Sequence, residues 1–181
     1  MTERDSPPPA APPDAARAKR SRAGGSPRTA ARIAAVQALY QIEMSSAAPD
    51  AVIGEFRDHR LAEQGEGPAA DVGLFSTLTA AASVHRGEID QLIQGALAEG
   101  WALGRLDTVV RALLRAGVCE LLEFADVPAR VVIDQYLDVA HAFLAAKETG
   151  FVNGVLDRLA RQLRPQELGA AGAPDAAKAK R

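Results

Sequence analysis

Residues 106–122 read LDTVVRALLRAGVCELL. Leu106, Val109, Val110, Leu113, Leu114, Gly117, Val118, Leu121 and Leu122 recur at helical spacing and leave the segment apolar almost all round. A helix of that kind sits centrally, with neighbours on several sides. Downstream, Val127-Pro128 marks a break, because the residue before proline avoids the helical region. Val131, Val132, Leu137, Val139, Ala140 and Phe143 then form a further helix. A last helix is expected to begin between Thr149 and Phe151 and to carry Val152, Val155, Leu156, Leu159 and Leu163 up to Pro165.

Upstream, a helix is expected from about Ala69, with Val72, Phe75, Leu78 and Thr79 facing inward. It reaches Val84, bends or restarts near Gly87, and continues through Ile89, Leu92, Ile93 and Leu97 to Gly100. Asp50 can cap a shorter helix carrying Val52, Ile53, Phe56 and Leu61. Ser26-Pro27 is a start signal for the first helix, which carries Ile33, Val36, Tyr40 and Met44. No segment alternates in the manner of a strand, and the predicted class is all-α.

The 181 residues suit one domain with flexible ends. Residues 1–26 read as a disordered basic, proline-rich arm, 27–165 as the helical domain, and 166–181 as a disordered tail. Hydrophobic residues make up 48% and aromatics 4%, so Ala, Leu and Val must fill the core. The net charge of −2 is unevenly spread: residues 1–32 hold seven basic against three acidic side chains, and residues 50–100 three against nine. A basic end on an acidic chain suits a polyanion-binding arm, and equally a solvated tail. One cysteine, Cys119, excludes an intramolecular disulfide and points to a reducing compartment. No apolar run approaches the roughly 20 residues that span a bilayer. A cytoplasmic protein is expected.

The residues that could do chemistry do not converge. His59, His85 and His141 lack metal-ligand spacing, and no phosphate-cradling glycine loop occurs. Cys119 reads as a buried thiol. Glu120 reads as a helix cap or the partner of a backbone amide before it reads as an acid–base group. The expectation is no enzyme, no cofactor and no metal. RNA binding has better support: Arg28 and Arg32, with Thr29 between them and Arg17, Lys19, Arg20 and Arg22 before, can set cations along phosphates. Phe151 and Asn153, placed at a helix start, could stack on a base and read its edge. The competing reading makes Phe151 a core plug and Asn153 a local cap.

Three ordered motifs carry a family resemblance over roughly residues 27–165. GFVNGVLD at 150–157, RIAAVQALY at 32–40, and LLRAGVCELL at 113–122 followed by Val127-Pro128 and Val132-Ile133-Asp134 resemble the NusB family of transcription antitermination factors. The resemblance implies a compact fold of about seven helices in two packed bundles. It further implies binding of the boxA element of ribosomal RNA leader transcripts, together with the ribosomal protein NusE, within an antitermination complex on RNA polymerase. It matches Arg28 and Arg32 to the family's basic N-terminal motif and Phe151 and Asn153 to its C-terminal motif, and it adds Arg86 to the RNA surface. The chain departs from the family at Thr29, Ala30 and Ala31, which interrupt a run of arginines. It departs again at Gly150, where some relatives have Lys, and at Gln135 and His141, where Glu and Lys are common. Two alternatives keep the fold: an RNA-binding accessory domain like that of RNA cytosine methyltransferases, which the chain's length disfavours, and a protein–protein adaptor that never touches RNA.

Overall fold

The computed structural model describes residues 25–61 and 69–169, and these form helices and connecting turns with no strand. The helices are α1 (Pro27–Ser45), α2 (Pro49–Glu55), α3 (Val72–Val84), α4 (Arg86–Ala96), α5 (Thr108–Glu123), α6 (Ala129–Phe143), α7 (Ala146–Leu163) and the single turn α8 (Pro165–Leu168). Helix α5 is the central element. Every residue from Ala112 to Leu121 is buried, and α1, α3, α4, α6 and α7 all pack on it. Helices α1, α2 and α3 pack together on one side; α6, α7 and α8 pack together on the other, with α4 against α5 and α7. Gly117 lets α5 approach its neighbours: a Cβ there would lie 3.0 Å from the Leu156 side chain and 3.3 Å from that of Tyr136.

Several element starts differ from the sequence reading, each for a local reason. Helix α2 is not capped by Asp50; its N-cap is Ala48, with Pro49 opening the helix and Asp50 inside the first turn. It ends in a π turn, Phe56–Arg60, closed by Leu61 N–H donating to the Phe56 carbonyl at 2.8 Å. There Arg60 covers the Phe56 ring, which stacks on Phe75. Helix α3 begins at Val72, not Ala69, because the Asp71 carboxylate accepts the Leu74 N–H at 2.9 Å; Val72 consequently faces outward. The chain breaks at His85, two residues before Gly87. Asp107 caps α5, so Leu106 precedes the helix, at the end of a 3-10 turn (Leu103–Arg105).

The domain runs past its expected end. Residues 165–168 form α8, Glu167 accepts the Ala129 N–H at 2.7 Å, and Leu168 is buried. Arg164, just before it, sends its guanidinium inward. It donates to the carbonyls of Leu121 (2.8 Å), Phe124 (2.9 Å), Glu120 (3.3 Å) and Val127, and so closes the C-terminus of α5. Of the expected N-terminal arm, Ser26 is the N-cap of α1; residues 1–24 and 170–181 lie outside the described residues.

Candidate nucleic-acid interface

The N-terminus of α1 holds the first group of expected contacts. Ser26 caps the helix by accepting the Thr29 N–H at 3.2 Å, and Pro27 supplies a ready-made helical φ. This turn leaves Arg28 exposed. The Thr29 hydroxyl donates to Gln135 Oε1 at 2.9 Å, which ties α1 to α6. Gln135 Oε1 is therefore engaged within the molecule.

Arg32 is a correction. The helical register that makes it a neighbour of Arg28 also turns it toward α5, and it is only 2% exposed. Its Nε donates to Glu120 Oε2 at 2.9 Å, its Nη2 pairs with Glu120 Oε1, and its Nη1 donates to Gln135 Oε1 at 3.2 Å. Tyr136 donates its hydroxyl to Glu120 Oε2 at 3.0 Å. Burial works against the charge on Arg32, but the hydrogen bond and negative charge of Glu120 outweigh it and hold the pKa above its ordinary value. Burial, followed by the Glu120 charge, pushes the Tyr136 hydroxyl well above the phenol range. Glu120 is thus neither a helix cap nor an acid–base group; it is the buried counter-ion of Arg32. Arg32 has no surface from which to meet a phosphate.

The second group also moves. Helix α7 starts at Ala146, where the Glu148 carboxylate accepts the Ala145 N–H at 3.0 Å. Phe151 and Asn153 therefore lie in the second turn and beyond, away from the open amides of the helix start. Asn153 is exposed and caps nothing. Phe151 is half-buried against the core, and its ring stacks on Trp101 with centroids 5.8 Å apart and an interplanar angle of 28°.

Arg86 opens α4 and is exposed, with Nε 3.8 Å from Asp90. It lines a groove of about 400 Å³ between α1 and α3, together with Glu43 and Arg115. Arg115 is buried and bridges Asp90 and Glu43, and Arg111 also holds Glu43 at 2.8 Å. Burial favours the neutral form of Glu43, but the two arginines win and hold its carboxyl below the usual range. Among the described residues no hydrogen bond or ion pair joins the Arg28–Thr29, Phe151–Asn153 and Arg86 groups to one another.

The model of the NusB family matches residues 29–161, most of the chain. The chain belongs to the NusB family. It is 50% identical over 150 residues to the transcription antitermination protein NusB of Granulibacter bethesdensis, covering 78% of this chain and 92% of that protein. Among solved structures, NusB of T. maritima superposes with a TM-score of 0.64 at 29% identity, covering 78% of this chain and 95% of that one. A structure of antitermination factors NusB and NusE in complex with double-stranded RNA superposes with a TM-score of 0.61 at 28% identity, covering 74% and 96%. The two-bundle, all-α fold implied by the NusB motifs is the fold seen.

Within this NusB-family chain, Cys119 is buried in α5, and its thiol is pushed up to about 12, first by burial and then by the charges of Glu123 and Glu120. Almost no thiolate forms at neutral pH, and the thiol is a poor nucleophile. No described helix is long and apolar enough to cross a membrane. Sequence reasoning missed Trp101 and Arg164. The one available signal for Trp101 was a lone tryptophan in the glycine-flanked stretch between Gly100 and Gly104. Arg164 gave none, since a terminal arginine before proline reads as solvated.

Proposed function

We propose that this chain is a transcription antitermination factor that binds boxA-type single-stranded RNA of ribosomal leader transcripts jointly with the ribosomal protein NusE. In that role it joins the antitermination complex on RNA polymerase, in the cytoplasm, and works by binding without catalysing a reaction. The observation that carries the proposal is the 50% identity, over 78% of this chain, to a NusB antitermination protein. The RNA surface proposed is built from Arg28 and Thr29 at the start of α1, Phe151 and Asn153 on α7, and Arg86 at the start of α4. Arg32 acts from within, holding α1 against α5 so that Arg28 is presented.

The test separates the two arginines. Arg28→Ala removes an exposed cation and leaves the fold intact. RNA affinity should fall, and the slope of log affinity against log salt should flatten by about one unit, the counterion release of one lost phosphate contact. A salt titration that superposes on that of the unaltered protein would remove Arg28 from the interface.

A further inference from the structure

The chain has one tryptophan, and it stands outside the core: Trp101 is 55% exposed. The loop after α4 is built to hold it there. Gln94 donates from Nε2 to the Trp101 carbonyl and accepts the Leu103 N–H at Oε1, both at 2.9 Å. Trp101 N–H donates to the Ala98 carbonyl at 3.0 Å. Gly100 sits at φ +83°, in the left-handed region where a side chain would be strained. Phe151 lies against the indole on one side and against the core on the other. The indole is therefore a fixed shelf, anchored through Phe151, that presents its remaining surface to solvent.

Two cations flank the aromatic pair along one helix face. Lys147 lies one turn before Phe151 on α7 and Arg158 two turns after it, at spacings that share a face. Both are exposed. Arg158 donates to the Ala96 carbonyl at 3.3 Å, at the end of α4 from which the Trp101 loop departs. Gly154 lies between them, and a Cβ there would meet no atom within 4 Å, so the face is open beside the aromatic pair. Of the acids nearby, Asp157 is held by Arg161, Glu148 accepts the Ala145 N–H at the start of α7, and Glu99 lies on the Trp101 loop. An aromatic shelf between two cations on an open face is the chemistry of a single-stranded nucleic-acid subsite: a base stacks and its flanking phosphates meet the cations.

We propose that Trp101, backed by Phe151, is the stacking platform for one unpaired RNA base, with Lys147 and Arg158 holding the adjacent phosphates. The proposal rests on the RNA-binding reading above and assigns the ring that meets the base. Phe151 then packs in the core and serves the site at once, through Trp101.

Because Trp101 is the only tryptophan, its emission reports this platform alone. A boxA oligoribonucleotide is titrated while emission and, separately, anisotropy of a label on the RNA are followed. A matched set of oligonucleotides carries an abasic nucleotide at each position in turn. The expected result is quenching on binding, lost at one abasic position. Trp101→Leu should weaken RNA binding by about 5- to 100-fold, the usual cost of losing one stacked base, with the melting temperature unchanged. Trp101→Phe should recover most of the affinity. RNA binding with unchanged emission and equal affinity in Trp101→Leu overturns the platform and leaves the RNA-binding reading standing. So does a Trp101→Leu defect confined to binding the NusE partner, which would make this a protein contact. If the unaltered chain binds no RNA with or without NusE, the functional reading itself has failed and the platform with it.

Discussion

Arg32→Met is expected to lower the unfolding free energy by about 3–5 kcal/mol, the cost of leaving a buried charge without its partner. The methionine fills much of the space but offers Glu120 nothing. Tyr136 alone would remain on a carboxylate that two guanidinium nitrogens now hold. Arg32→Lys should fall between, because a single ammonium cannot reach both Glu120 oxygens and Gln135 in the forked geometry of an arginine. Removing the whole cluster should cost less than breaking it. The triple variant Arg32→Met, Glu120→Leu, Tyr136→Phe leaves no buried polar group of the cluster short of a partner, since Gln135 keeps Thr29. Urea unfolding followed by circular dichroism gives the comparison. The opposite pattern, full stability with weakened RNA binding in Arg32→Met, would mean that Arg32 leaves the core to contact RNA.

The second large effect is expected at Arg164. Arg164→Ala strips four carbonyls around the C-terminus of α5 of a charged donor and should cost about 2–4 kcal/mol. Arg164→Lys should restore less than half of that, since one ammonium cannot span carbonyls on both α5 and the turn before α6. RNA affinity per folded molecule should not change. A loss below about 1 kcal/mol in Arg164→Ala would show that water satisfies those carbonyls equally well.

Both residues show where sequence reading works and where it stops. The central helix was legible because apolar side chains on every face of α5 demand neighbours all round, and α5 has them. Arg32 was misread because an arginine near the start of an amphipathic helix looks solvated, and its counter-ion lies 88 positions away. The start of α7 was misplaced because Ala145 and Ala146 carry no capping side chain; Glu148 supplies the cap from inside the first turn. The packing of Phe151 was not legible either, because it depends on Trp101, a partner 50 residues earlier in a loop with no periodicity to read. Long-range pairs of this kind leave no mark on local spacing.

Recognition of boxA-type RNA jointly with NusE is measured by anisotropy titration of a labelled ribosomal leader RNA. The chain is titrated alone and with the partner, against the boxA sequence and a scrambled version. Binding to boxA is expected to tighten by about 5- to 150-fold when the partner is present, the usual range of coupling between linked sites, and to exceed binding to the scrambled RNA. Equal affinity for boxA and scrambled RNA in the presence of the partner would contradict it.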